Sequence, residues 1–183
     1  MKISTLAFCL LLATSAYAQG IEYKVLATSR TSTMEKEMND AGASGFKFSA
    51  VMGGETAIGG AEVVVLMQKG GDVKGSFRYH LLATSRTGTM EKELNNAADD
   101  GYDYVGQTVF KSVFGGEEVV AIAERGTKDR SDFIYKLIAT SKTSTLQKEM
   151  NEAAAAGYQA LGMTVGKTAI GGNELVVIAR KKK

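Results

Sequence analysis

Tyr23-Lys24-Val25-Leu26-Ala27-Thr28-Ser29-Arg30 returns as Tyr79-His80-Leu81-Leu82-Ala83-Thr84-Ser85-Arg86, and again as Tyr135-Lys136-Leu137-Ile138-Ala139-Thr140-Ser141-Lys142. The tyrosines stand at 23, 79 and 135, a constant step of 56 residues. Gly-Gly pairs at 59–60, 115–116 and 171–172 keep that step, so the copies align without a gap. Self-similarity at a fixed period marks a tandem array of one supersecondary unit.

Each copy reads as β-α-β-β. The quoted stretch supplies the first strand, from Tyr23 to about Thr28. Met34, Met38 and Ala41 then follow at i, i+4 and i+7, one apolar face of a helix. Ser32 with Glu35, and Ser144 with Gln147, have the spacing of a capping box; Gly88 replaces the serine in the middle copy. Gly45, Gly101 and Gly157 end the helices, and Phe46, Tyr102 and Tyr158 open the second strands. The Gly-Gly pairs read as hairpin turns into third strands at Val63–Met67, Val119–Ala123 and Leu175–Ala179. The expected strand order is second, third, first, all antiparallel.

The third strand is apolar at every position, the pattern of a strand covered on both faces. A helix covers one face of a small sheet, so the other face should meet a neighbouring repeat. A unit of this size with no disulfide or metal is marginal alone. Repeats at 20–75, 76–131 and 132–183 are therefore expected to form one compact α+β body with approximate threefold symmetry, a monomer with internal pseudo-symmetry. The seven-residue connectors Gly70–Ser76 and Gly126–Asp132 can each span roughly 23 Å.

These strings resemble a family of small bacterial domains of unknown function. The resemblance rests on Glu22-Tyr23-Lys24-Val25-Leu26, on the helix end Met38-Asn39-Asp40-Ala41-Gly42-Ala43-Ser44-Gly45-Phe46, and on an apolar closing strand ending at Lys69. It covers the three repeats and little else. The family often carries tryptophan where this chain has Phe46, Tyr102 and Tyr158. The resemblance implies a small α+β domain and brings no activity or catalytic residue.

Residues 1–18 read as a signal peptide. Lys2 precedes the apolar run Ile3–Leu12, and Ala16-Tyr17-Ala18 offers small residues for cleavage after Ala18. The expected location is secreted or periplasmic, with no transmembrane segment. Cys9, the single cysteine, lies inside this leader, so the mature chain should carry neither disulfide nor thiol. Without Lys2 the charge is close to neutral, which argues against a nucleic-acid partner.

The chemistry-bearing residues point away from a repeated active site. His80 is the one histidine, and Lys24 and Lys136 occupy its equivalent positions. No Ser-His-acid set or histidine-based metal site can therefore recur, and neither a catalytic residue nor a cofactor is expected. Met34 and Met38 become Met90 and Leu94, then Leu146 and Met150, which fits packing better than thioether ligation. Glu37, Glu93 and Glu149 recur on the helix, and Glu62, Glu118 and Glu174 follow the hairpin. Two carboxylates are what glycoside hydrolysis needs, so a glycosidase-like hydrolase is the alternative reading.

The favoured site is the string Thr28-Ser29-Arg30, Thr84-Ser85-Arg86 and Thr140-Ser141-Lys142. Each leads from a strand into a helix N-terminus, where backbone N–H groups and the helix dipole favour an anion. The competing reading is that the string caps the helix. The expectation is a non-enzymatic exported binding or structural protein whose partner is a small anion, an acidic glycan or a protein. The tail Arg180-Lys181-Lys182-Lys183 reads as a solubilising basic end.

Overall fold

The computed structural model describes residues 20–183 apart from 57–59, 73–74, 85, 112–116, 128 and 168–171. The expected signal peptide at 1–18, most of the Gly-Gly turns and Ser85 lie outside the described residues. Repeat 1 comprises β1 (Glu22–Thr28), α1 (Thr31–Ala43), β2 (Lys47–Thr56) and β3 (Gly60–Lys69). Repeat 2 comprises β4 (Arg78–Thr84), α2 (Thr87–Asp99), β5 (Asp103–Lys111) and β6 (Glu117–Arg125). Repeat 3 comprises β7 (Phe133–Thr140), α3 (Thr143–Ala155), β8 (Gln159–Lys167) and β9 (Asn173–Lys182).

The expected order holds in all three sheets: β1-β3-β2, β4-β6-β5 and β7-β9-β8, every pair antiparallel. Gly45, Gly101 and Gly157 stop the helices at φ of 87°, 86° and 87°, a conformation that suits glycine. The N–H groups of Phe46, Tyr102 and Tyr158 turn back to the carbonyls of Ala41, Ala97 and Ala153. Each second strand carries a bulge at the same place, between Phe48 and Ala50, Tyr104 and Gly106, and Ala160 and Gly162.

Helices cover one face of each sheet, and the next repeat covers the rest of that face. Met34, Met38 and Ala41 of α1 pack on Val63, Val65 and Met67. Tyr79, Leu81, Val120 and Ile122 of repeat 2 close the same cluster from the other side. The second cluster repeats this plan, joining Met90, Leu94, Val119 and Ala121 to Tyr135, Val176 and Ile178 of repeat 3. Because strand side chains alternate, Val119 and Ala121 serve the helix side of β6 while Val120 and Ile122 serve repeat 1. Full burial of a Val or Ile contributes about 1.5–3 kcal/mol, which a lone repeat forfeits at each such position.

Cover on both faces therefore holds for β6, where Val119 to Ala123 are all buried, and for β9 from Val176 to Ala179. In β3 it does not. Val63, Val65 and Met67 are buried, but Val64 and Leu66 are only half-buried, since neither of the other two described repeats packs on that face. The last helix shows the converse: Leu146 and Met150 are half-buried where Met34 and Met38 are fully enclosed. Among the described residues, no helix is long and apolar enough to cross a membrane.

Candidate functional site

The structure brings each Thr-Ser-Arg/Lys string to the start of its helix. Arg30, Arg86 and Lys142 are the N-cap residues, in extended conformation, and all three are exposed. The N–H of each donates to the threonine hydroxyl two residues earlier: Arg30 to Thr28 (3.3 Å), Arg86 to Thr84 (3.0 Å) and Lys142 to Thr140 (3.4 Å). The threonines thus close a small turn before the helix and do not cap it. The side chains of these N-cap residues make no capping hydrogen bond. The capping boxes expected at Ser32/Glu35 and Ser144/Gln147 are not formed, because each helix starts at the preceding threonine and draws the serine into its first turn. Ser29 is half-buried and Ser141 exposed.

Glu35 is committed elsewhere, and with it the most specific geometry in the molecule. The outer edge of β4 faces α1. Asn39 accepts the N–H of Tyr79 at 3.0 Å and donates to its carbonyl at 2.9 Å. Glu35 accepts the N–H of Leu81 at 2.8 Å and contacts His80 Nδ1 at 3.0 Å. One turn of helix thereby replaces the neighbouring strand that an edge lacks. Repeats 2 and 3 meet identically: Asn95 bonds the N–H and carbonyl of Tyr135, both at 2.9 Å, and Glu91 accepts the N–H of Leu137 at 2.8 Å.

The junction tyrosines reach further, into the bulge of the preceding repeat. The Tyr79 hydroxyl accepts the Phe48 N–H at 2.8 Å and donates to Glu124 at 3.0 Å. The Tyr135 hydroxyl accepts the Tyr104 N–H at 2.9 Å. Burial pushes Tyr79, Tyr104 and Tyr135 above the usual tyrosine range, so all three stay protonated. Burial also raises the Glu124 carboxyl, against Lys47 at 3.6 Å and Tyr79, which pull it back down.

At the far end of each sheet, side chains from the first and third strands flank one aromatic ring. Lys24 and Lys69 lie 4.8 and 5.6 Å from the centre of Phe46. His80 and Arg125 lie 6.0 Å from Tyr102, and Lys136 and Lys181 lie 5.9 and 4.7 Å from Tyr158. The lysine and arginine contacts contribute about 0.5–1 kcal/mol each at exposed sites. The tail is engaged as well: Arg180 and Lys181 belong to β9, Arg180 stacks on Phe133 at 4.0 Å, and Lys183 pairs with Asp99 at 2.9 Å.

Other candidates disperse. The groove beside β4 holds Glu93 but not Glu118, and the groove beside β7 holds Glu149 but not Glu174. Glu62, Glu118 and Glu174 lie at the hairpin end of their strands, opposite Gly54, Phe110 and Gly166. Among the described residues, no group of three or more His, Cys, Asp or Glu is placed to hold a metal ion. Asn39 and Asn95 were the residues that pattern reading overlooked. Their signal was present: an asparagine, a weak helix former, recurs in mid-helix at 39, 95 and 151, four residues after Glu35, Glu91 and Gln147. Comparison of the chain with family models, curated proteins and solved structures finds no match.

Proposed function

We propose that this chain is an exported, non-enzymatic repeat protein acting as a binding or structural module. The observation that carries the reading is where the recurrent polar side chains go. Asn39, Glu35, Asn95 and Glu91 are spent on the edge strand of the next repeat, so their repeated chemistry is that of assembly. Secretion or a periplasmic location follows from the leader at residues 1–18.

An anionic ligand, inorganic or an acidic glycan, is the ligand class that goes with this module. It is favoured by the exposed N-cap cations Arg30, Arg86 and Lys142, whose own side chains do not cap the first-turn N–H groups. Calorimetric titration with sulfate and with acidic oligosaccharides tests it. Wild type should take up the anion. A variant with Arg30, Arg86 and Lys142 all replaced by Ala should not, while its unfolding midpoint stays put. Absence of heat with the wild type removes the ligand half of the reading. Turnover of an oligosaccharide, lost in Glu93→Gln, replaces the reading with the hydrolase.

A further inference from the structure

The junction between repeats is made twice inside the chain, and each end of the chain presents one unused half of it. We propose that copies of this protein associate head to tail, the helix side of repeat 3 in one copy receiving the outer face of repeat 1 in the next. The proposal rests on the reading of the chain as an assembly module and names its partner.

Exposure locates the two halves. Tyr23 is 57% exposed, whereas its equivalents Tyr79 and Tyr135 are each 2% exposed at internal junctions. Val25 and Met52 lie on the same outer face, at 65% and 62%. At the opposite end Met163 and Val165 are exposed beside an apolar groove lined by Leu146, Met150 and Leu161. Gln147 and Asn151 stand where Glu91 and Asn95 hold Leu137 and Tyr135, and here the Gln147 amide donates to Asn151 at 3.1 Å. A second copy's β1 offers them the N–H and carbonyl of Tyr23 and the N–H of Val25. Its Tyr23 hydroxyl offers an acceptor to the Ala160 N–H at the third bulge.

Two further complementarities say that the ends fit each other and not merely some apolar partner. The first is size. At the internal junctions an aromatic ring faces a glycine: a Cβ on Gly106 comes within 2.7 Å of the Phe48 ring, and one on Gly162 meets the Tyr104 hydroxyl and Gln107. The equivalent positions at the two ends are Ala160 for the aromatic and Ala50 for the glycine. The side chain gained on one face is matched by the one lost on the other. The second is charge. Lys47 faces Glu124 at the first junction, and at the second the Tyr135 hydroxyl lies between Asp103 and Arg180. The corresponding pair at the ends is Gln159 and Gln68, neutral on both sides. Positive meets negative, then negative meets positive, then neutral meets neutral. Such an interface is heterologous, with different surfaces on the two copies, so it propagates or closes into a ring.

Sedimentation velocity of the full chain over a concentration series tests this, with Val25→Asp blocking one face and Met163→Asp the other. Both sites are exposed, so circular dichroism should show unchanged unfolding midpoints. Wild type should form species larger than a dimer as concentration rises. Each single variant should stay monomeric or lose most of this association. An equimolar mixture of the two should give a species of twice the monomer mass and nothing larger, because only one competent pair of faces remains. A variant carrying both changes should not dimerise with itself. A wild type that stays monomeric up to its solubility limit overturns the proposal. That outcome is expected if the chain's own first residues or another partner cover these faces, and it leaves the internal junctions of the proposed module intact. Variants that still associate, or a mixture that does not dimerise, overturn it equally.

Discussion

Repeats 1 and 2 carry closely similar third strands, Glu62-Val63-Val64-Val65-Leu66-Met67 and Glu118-Val119-Val120-Ala121-Ile122-Ala123. In repeat 1 alternate residues are buried; in repeat 2 five in succession are. Their first strands differ in the same way, Tyr23 and Val25 standing in solvent where Tyr79 and Leu81 are enclosed. Local sequence is nearly constant between the two, so the difference comes from position in the array. A strand's intrinsic pattern states what it can bury, and the neighbouring repeat decides what it does bury.

The largest expected effect separates the two strands directly. Val120→Asp puts a carboxylate into the junction core and should destabilise by about 3 kcal/mol or more, since an unpaired buried charge is costly unless it neutralises. Val64→Asp, at the equivalent position on the open face, should cost about 1 kcal/mol or less. Urea unfolding of both variants measures the contrast, and equal losses break it.

Alkaline unfolding probes the same contrast through titration. Burial raises Tyr79, Tyr104 and Tyr135, so the folded chain holds protons that the unfolded chain releases. Their stabilisation is complete below about pH 10, the ordinary tyrosine value, and is lost as pH rises above it. Each tyrosine should then cost roughly 1 kcal/mol per further pH unit. Tyr79→Phe and Tyr135→Phe together should flatten this fall measured by thermal melts above pH 10, and an undiminished fall in that double variant breaks the account.

A smaller effect is expected at the helix that replaces a strand. Asn95→Ala strips partners from the N–H and carbonyl of Tyr135 and should cost about 1–3 kcal/mol. Asn151→Ala, which loses a contact with Gln147 on the surface, should stay within about 0.5 kcal/mol. Matching losses from the two would mean that the asparagines act within their own helices and not across the junction.

Much of the fold was legible before any coordinates. The step of 56 residues, the strand order, the stop at Gly45, Gly101 and Gly157, and the burial of Met34 and Met38 all follow from local chemistry and period. The face of β3 away from its helix was misread because the apolar run Val63–Met67 is that of a covered strand, retained in a unit whose outer face neither of the other described repeats covers. The helix starts were misread because a Ser-x-x-Glu spacing satisfies two demands. Glu35 has the separation that a capping box needs and also the position that reaches the next repeat's backbone, and the tertiary contact prevails. Of the candidate site, the position of Arg30, Arg86 and Lys142 at helix starts was readable. The roles of Asn39 and Asn95 were not read, since their partners lie 40 residues away in sequence.

The central claim is that one junction is made twice and left open once at each end. Amide hydrogen exchange in dilute protein tests it residue by residue. The N–H groups of Tyr79, Leu81, Tyr135 and Leu137, held by Asn39, Glu35, Asn95 and Glu91, should exchange slowly. Those of Tyr23 and Val25, at the same places on β1, should exchange near the rate of an unstructured chain and slow as concentration is raised. Fast exchange at all six positions, or equal protection of Tyr23 and Tyr79 at every dilution, would contradict the account.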